Sequence, residues 1–240
     1  DSKDADAYYS RGTSYDAMGD HEKALKDYDE AIRLNPNDGR YYNNRANCYK
    51  ELGENQKALK DYTKAIEIKP CGLIYRNRAL TYTDLKEYKK AVADYDAAIK
   101  LEPKDLRSYY NRANIYSELG EYDKVVKDYT QMIEVDSNYF LLYLNRALAY
   151  EHLGKINKVL ADFSKAIELE PNDALTYRSR ANFYIKIGHY AEAVADFKYA
   201  LKIDPNDKDA SSGIEELIKK AKKDCEMGDC DGLEALKEKP

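Results

Sequence analysis

Hydrophobic and polar positions follow a helical rhythm in two neighbouring segments, and this pair of segments recurs along the chain. In residues 39–52, Tyr42, Ala46 and Tyr49 lie four and three positions apart, and residues 55–68 show the same spacing. Gly53 separates the two segments, and Pro70 follows the second, where it prevents a helix from continuing. The pattern predicts two antiparallel helices joined by a short turn.

The pair of segments occurs six times at a spacing of 34 residues, and once of 33. We place the copies at 5–38, 39–71, 72–105, 106–139, 140–173 and 174–207. A period of this length is typical of stacked helix pairs, in which neighbouring copies share one continuous core. The sequence therefore predicts an all-α fold built as a solenoid.

Small and aromatic residues hold fixed places in every copy. In the second copy they are Ala46, Tyr49, Ala58, Tyr62 and Ala65, and a closing proline is present in most copies. This order resembles the tetratricopeptide repeat family over 203 of the 240 residues. The resemblance implies a right-handed α-solenoid of helix-turn-helix repeats, a superhelix that holds a peptide segment or a partner protein along its concave face.

The residues after the sixth copy divide into a helix and a tail. Residues 208–223 carry apolar side chains at helical spacing, which predicts a capping helix over the last repeat. Residues 224–240 contain Cys225 and Cys230, which could form a short disulfide in an oxidising compartment or remain free thiols. Cys48 lies on a packing position and is expected to be a small buried residue.

Charge and hydropathy narrow the class of partner. The net charge is −5, and acidic and basic residues are interspersed, which argues against nucleic-acid binding. No apolar run is long enough for a membrane span, and no signal-peptide core is present. The chain does not begin with Met, so we expect a processed product, and both a cytoplasmic and an exported, periplasmic location stay open.

Motifs for catalysis or cofactor binding are lacking. There is no glycine-rich phosphate loop and no nucleophile elbow. The three histidines belong to different copies, which leaves too few neighbouring ligands for a zinc site. Carboxylates that recur in each copy indicate packing, because an active site needs a unique constellation. We therefore expect a non-catalytic protein with no cofactor and no metal.

One position departs from the family pattern in every copy. Arginine stands where the family usually has leucine, and an aspartate precedes each aromatic residue of the second helix. We expect Arg–Asp pairs, within a copy or to the next, because a guanidinium can pair with a carboxylate while its stem packs on tyrosine. The residues are Arg11, Arg45, Arg78, Arg112, Arg146 and Arg180, with Asp27, Asp61, Asp94, Asp128, Asp162 and Asp196.

In the family the first helices line the concave face, and helical spacing selects the residues opposite the packing stripe. Four consecutive copies carry asparagine at one equivalent position, and two further asparagines lie one turn on. A row of amides can donate to and accept from an extended peptide backbone, although these asparagines could instead be plain exposed positions. The row resembles the asparagine ladder of the repeat superhelix in O-GlcNAc transferases. The residues are Asn44, Asn77, Asn111 and Asn145, with Asn47 and Asn114.

Charged residues on the same face are distributed against the helix dipole. Arg40, Arg76, Arg107 and Arg178 lie near the starts of the first helices, and acidic residues lie near their ends. This order predicts a groove with one basic and one acidic edge. Arg40 and Arg107 could instead pair with the preceding aspartates of their helix caps.

The fifth copy differs from the others because leucines replace polar residues on this face. Leu141, Leu144 and Leu148 predict a hydrophobic pocket for a partner side chain. The alternative is that a second copy of the protein or the C-terminal tail covers them.

The main prediction is a non-catalytic scaffold that binds a peptide or partner protein of unidentified sequence. A carboxylate clamp, which captures the C-terminus of a chaperone peptide in some family members, is disfavoured. Asn47, Asn77 and Arg107 match its pattern, but Asn43 and Asn111 stand where cations are needed. The alternative to a scaffold is a self-associating structural protein that forms homo-oligomers through the leucines or an end repeat.

Overall fold

The structure, a computed structural model, describes residues 4–226, and side chains as far as Lys223. Across this part of the chain the secondary structure consists of thirteen α-helices, and no strand is present. The prediction of an all-α, helical-repeat fold is confirmed. The chain forms two compact units, one ending at Gly120 and the other beginning at Glu121.

The first unit contains three helix pairs and one further helix. The helices of each pair pack side by side, and α2, α4 and α6 also contact the first helix of the following pair. The helices are α1 (Ala5–Ala17), α2 (His21–Leu34), α3 (Gly39–Glu51), α4 (Asn55–Ile68), α5 (Gly72–Asp84), α6 (Tyr88–Leu101) and α7 (Leu106–Glu118).

The second unit contains one single helix, two helix pairs and a longer final helix. The longer helix packs on the last pair and buries Ala210 and Leu217 there. It runs three residues past the predicted end at 223, whereas Cys230 and the side chain of Cys225 lie outside the described residues. The helices are α8 (Tyr122–Val135), α9 (Phe140–His152), α10 (Ile156–Leu169), α11 (Ala174–Lys186), α12 (Tyr190–Ile203) and α13 (Lys208–Glu226).

Small residues set the distance between the helices of a pair, and aromatic residues fill the space beside them. Ala46, Ala58 and Ala65 are fully buried, and Tyr62 between them is 1% exposed. Close contact at alanine brings the helix backbones together, and the aromatic rings restore interior packing density. Cys48 is also fully buried, as predicted. No helix within residues 4–226 has the length and apolar character that crossing a membrane requires.

In five copies, the predicted Arg–Asp pair forms within the copy. Arg78 donates from Nε and Nη2 to the two carboxylate oxygens of Asp94, at 2.7 and 2.8 Å. Arg146 binds Asp162 in the same way at 2.7 and 2.8 Å, and this hydrogen bonding raises the pKa of both arginines. The same two-point contact joins Arg11 to Asp27, Arg45 to Asp61 and Arg180 to Asp196.

Arg78 and Arg146 also contact the preceding copy through their remaining nitrogen. Nη1 of Arg78 donates to Thr63 at 2.9 Å, and Nη1 of Arg146 donates to Thr130 at 3.1 Å. The guanidinium of Arg78 lies over the rings of Tyr75 and Tyr82, with centroids 5.7 and 6.0 Å away. Each such arginine therefore joins the two helices of its own copy and the second helix of the copy before it.

Candidate peptide-binding site in the first unit

Asparagines of α3 and α5 form one hydrogen-bonded chain with Tyr9 of α1. Asn77 Nδ2 donates to Asn43 Oδ1 at 3.2 Å, and Asn43 Nδ2 donates to Asn44 Oδ1 at 3.0 Å. Asn44 Nδ2 then donates to the Tyr9 hydroxyl at 3.1 Å. We call Tyr9, Asn43, Asn44 and Asn77 the asparagine network. Three successive copies contribute to it through their first helices.

The amides were predicted to face a ligand independently, whereas in the structure they are hydrogen-bonded to one another. Each amide offers two donor hydrogens and two acceptor lone pairs, so the contacts within the network use only part of that capacity. Asn44 and Asn77 are half-buried, which leaves polar edges at the surface. The network therefore holds its amides in fixed orientations and retains hydrogen-bonding groups for a second molecule.

The other predicted asparagines differ in how they relate to the network. Asn47 is joined to the network, because its Oδ1 accepts from Asn77 Nδ2 at 3.4 Å, and it also accepts a 2.6 Å hydrogen bond from the Tyr62 hydroxyl, which anchors α3 to α4. Asn111 in α7 is half-buried and Asn114 is exposed. In the second unit, Asn145 Nδ2 donates to the Leu141 carbonyl at 2.8 Å, one turn back in its own helix. Asn145 thus uses one amide hydrogen to bind its own helix backbone, which distinguishes it from Asn44 and Asn77 of the predicted row.

A pocket of about 630 Å³ lies beside the network, at the N-terminal ends of α3 and α5. Its size is within the range of ligand pockets, roughly 300–1,000 Å³. Tyr9, Asn43 and Asn44 supply polar groups to its wall, and Leu73 and Ile74 supply apolar surface. Leu73 is 42% exposed, so part of the apolar wall of this pocket is open to solvent.

Arg40 lies at the pocket and is held by neighbouring groups. Its guanidinium is 2.6 Å from Asp38 and 2.9 Å from Asp6, and it lies over the Tyr9 ring at 5.3 Å from the centroid. The hydrogen bond from Arg40 holds the pKa of Asp38 below its usual range. These contacts confirm the alternative in which Arg40 pairs with the aspartate of its helix cap.

The predicted basic edge is wrong, because aspartates of the same chain pair with its arginines. Arg76 is 5% exposed and forms a buried salt bridge with Asp105. Arg107 lies 3.2 Å from the same carboxylate, although its side chain is 75% exposed. In the second unit, Arg178 lies 2.8 Å from Asp207. Arg76 is therefore a structural residue and cannot steer a ligand as predicted.

The predicted acidic edge is partly neutralised. Lys50 Nζ lies 3.2 Å from Asp84, and Lys186 forms a salt bridge with Glu151. The Tyr88 hydroxyl donates to Glu118. Asp84, Glu118 and Glu151 thus have partners in other helices of their own unit.

The predicted leucine pocket of the fifth copy needs a correction. Leu144 is 4% exposed and packs with Tyr143 and Phe163 in the core of the second unit. Leu141 is partly buried against the same core, whereas Leu148 is 39% exposed. The prediction that Leu144 faces a partner is wrong, because its side chain is already covered by its own unit.

The sequence spacing placed Tyr9, Asn43 and Leu73 on the same face as the predicted site, but it did not show that they matter. Tyr9 and Asn43 connect the network, and Leu73 forms the apolar wall of the pocket. Hydrogen bonds between helices of different copies depend on how deeply the helices pack, which the period alone does not specify.

Family models for single repeats match most of the chain. A tetratricopeptide repeat model matches residues 5–38, 39–70, 106–139 and 140–173, and a second one matches 174–207. A TPR repeat model matches 79–120. The chain belongs to the tetratricopeptide repeat family. Proteins of this family are generally non-catalytic scaffolds, and the membership supports a role in protein interaction. No curated protein matches the chain.

Solved tetratricopeptide repeat structures have the same fold. A repeat protein from Parabacteroides merdae has a TM-score of 0.65 at 25% identity, over 97% of both chains. YrrB, described as a TPR protein with an unusual peptide-binding site, has a TM-score of 0.65 at 20% identity, over 78% of this chain and 97% of its own. PilF from Pseudomonas aeruginosa has a TM-score of 0.64 at 15% identity, over 88% of this chain and 97% of its own.

Proposed function

We propose that this tetratricopeptide repeat protein is an interaction scaffold that binds an extended peptide segment at the pocket of its first unit. The observation that carries the proposal is the asparagine network beside a pocket of about 630 Å³ with an apolar wall. YrrB has a peptide-binding site, but its likeness to this chain concerns the fold. The proposal therefore rests on the residues of the pocket.

The polar side of the pocket suits a peptide backbone. An extended segment presents N–H and C=O groups that must exchange water for other partners when they are covered. Asn44 is half-buried and offers both a donor and an acceptor, and the nearly buried Asn43 fixes its orientation through their hydrogen bond. Because these amides are ordered before binding, less conformational entropy is lost when the segment docks.

The apolar side of the pocket suits one hydrophobic side chain of the segment. Leu73 and Ile74 line this wall, and Leu73 has 42% of its surface exposed. Burial of an apolar side chain contributes about 25 cal/mol per Å² of area removed from water. Charge contributes less to recognition than predicted from the sequence, since Arg40 is already paired with Asp38 and Asp6.

A position-matched pair of leucine variants tests the site. Leu73 and Leu175 each occupy the second residue of a first helix, and they are 42% and 46% exposed. Peptides are selected from a displayed random library on the wild-type chain, and their affinities are measured for Leu73→Asp and Leu175→Asp. We expect at least a tenfold loss for Leu73→Asp, because the carboxylate charges the apolar wall, and little change for Leu175→Asp.

The reverse ranking would move the ligand to the second unit and refute the proposed pocket. Equal affinity for both variants, with unchanged helical circular dichroism, would also exclude the pocket as the binding site. If the folded wild-type chain selects no peptide at all, the proposal of a peptide ligand is wrong.

Self-association remains the second candidate, and it is favoured by the exposed Leu148 and Leu175 of the second unit. These side chains are 39% and 46% exposed, and apolar surface of this kind is commonly covered by a partner. Light scattering between micromolar and millimolar concentration measures the mass directly. A dimer that Leu175→Asp dissociates would support self-association, whereas a monomer throughout would refute it.

A further inference from the structure

Three side chains that can each bind a metal meet in the first unit, and none of them lines the pocket. Asp16 lies near the end of α1, His21 begins α2, and Cys48 lies in α3. Asp16 Oδ1 is 2.8 Å from His21 Nδ1 and 3.1 Å from Cys48 Sγ. The three ligand atoms all lie within 4.8 Å of one another.

We propose that Asp16, His21 and Cys48 form a binding site for a divalent transition-metal ion, with Zn²⁺ as the ion that the donors suit best. A thiolate, an imidazole and a carboxylate are the ligands that zinc uses, at about 2.0–2.3 Å. Ligand atoms around one tetrahedral ion are therefore roughly 3–4 Å apart. The observed separations bracket this range, so small side-chain rotations are sufficient to coordinate an ion.

Burial divides the site into a closed and an open side. Cys48 is fully buried, whereas the side chains of His21 and Asp16 are 25% and 29% exposed. An ion could enter from solvent past His21 and Asp16 and bind Cys48 at the base. Water would complete a tetrahedral shell with these three protein ligands. On binding, the Cys48 thiol gives its proton to solvent and coordinates as the thiolate.

A buried hydroxyl group without a partner provides an independent indication. Tyr28 is fully buried, shares a packed cluster with Cys48, and its hydroxyl makes no hydrogen bond to any described residue. Buried polar groups are normally satisfied, and water held on an ion at this cluster would provide the partner.

The constellation occurs once, although the fold repeats. Features that packing requires recur in each copy of a repeat array, whereas a ligand site needs a unique set of residues. At the positions equivalent to Asp16, His21 and Cys48, the next copy along the chain has Lys50, Asn55 and Thr81. Repeat packing therefore does not explain why these three ligand types meet here.

The test uses the full-length chain with Cys71, Cys225 and Cys230 replaced by serine, which leaves Cys48 as the only thiol. Co²⁺ replaces Zn²⁺ as the spectroscopic probe, because a cobalt–thiolate bond gives a charge-transfer absorption. We expect this absorption to saturate at one ion per chain and to disappear when Zn²⁺ is added. Zn²⁺ should also raise the melting temperature of this variant by mass action.

Variants of the individual ligands make the assignment specific. In the single-thiol chain, His21→Ala and Asp16→Ala should each weaken Co²⁺ binding at least tenfold, and the matched control His152→Ala should leave it unchanged. Cys48→Ala should remove the absorption and the effect of Zn²⁺ on melting. A folded single-thiol chain without the absorption would refute the site. Unchanged binding in both His21→Ala and Asp16→Ala would refute the three-ligand assignment.

Discussion

Replacement of Arg78 by leucine would leave a buried carboxylate without its cation. Asp94 is 6% exposed and receives two hydrogen bonds from Arg78, at 2.7 and 2.8 Å. The Arg78 side chain is itself only 16% exposed, and its third nitrogen binds Thr63. Leucine is the residue that the family usually has at this position, so the substitution introduces a side chain that the fold accommodates.

The expected cost follows from the charge that remains. Removing one partner of a buried ion pair destabilises proteins by about 3–5 kcal/mol, because the other charge stays desolvated. We expect about 3 kcal/mol for Arg78→Leu, since leucine regains some apolar packing. The second change Asp94→Asn removes the remaining charge and should restore much of the lost stability.

Two other arginines serve as controls. The Arg33–Glu30 pair is exposed, with 63% and 43% of the side chains accessible, so Arg33→Leu should cost far less stability than Arg78→Leu. Arg11 makes the same two contacts as Arg78 but its side chain is 59% exposed. Water can therefore hydrate Asp27 when Arg11 is removed, and the loss for Arg11→Leu should be smaller than for Arg78→Leu.

Urea unfolding followed by circular dichroism gives the free energies, provided that the slope with urea stays constant. A loss below about 0.5 kcal/mol for Arg78→Leu would place the pair among exposed ion pairs and refute the reasoning. If the loss is large but Asp94→Asn restores nothing, the arginine stabilises mainly by packing on Tyr75 and Tyr82. The double variant thus separates the charge effect from the packing effect.

Three further predictions concern single positions. Lys86 has φ of +57°, and glycine occupies the equivalent turn in the other copies. Lys86→Gly should therefore raise the free energy of unfolding in urea by about 1 kcal/mol, and Gly53→Ala should lower it by a similar amount. Tyr62→Phe should cost about 1 kcal/mol of stability, because it removes the hydrogen bond to Asn47. Tyr95→Phe should be neutral or stabilising, because the buried Tyr95 hydroxyl has no partner among the described residues. An equal loss of stability in the two variants would contradict this prediction. The pKa of Asp38 is depressed in the folded protein, so the carboxylate contributes its full share of stability above about pH 3.9 and loses it as the pH falls through the depressed pKa. In Asp38→Asn the midpoint of urea unfolding should therefore fall less steeply below that pH than in the wild type. An unchanged pH dependence would refute this prediction.

The helical repeats could be predicted from the sequence because period and packing stripe are local properties. The place of Ala46 holds a small residue in every copy because the two helices approach closely there, and the structure buries Ala46 completely. The Arg–Asp pairs could be predicted for the same reason, as every copy requires them. Only their direction stayed open, and the two-point contact of Arg78 with Asp94 shows that the pairs form within a copy.

The candidate site could be predicted less well because helical spacing gives a face but not its depth. Asn43, Arg76 and Leu144 occupy the same place in their copies and are 8%, 5% and 4% exposed, whereas Tyr110 at that place is 44% exposed. Burial of this position depends on the side chains of the neighbouring helix. The prediction of the leucine pocket was wrong for this reason, and the links of the asparagine network were missed, whereas the basic edge was wrong because aspartates pair with its arginines.

The third nitrogen of Arg45, Arg78 and Arg146 has a consequence for how the number of copies in such a chain can change. In the copy before it, the acceptor is Asp29 for Arg45, Thr63 for Arg78 and Thr130 for Arg146, so several oxygen-bearing side chains serve equally. A copy that is duplicated or deleted as a whole would still meet an acceptor at its new junction. The contact between neighbouring copies therefore does not depend on one particular pair of residues. Recombination can add or remove whole repeats without the evolution of a new interface.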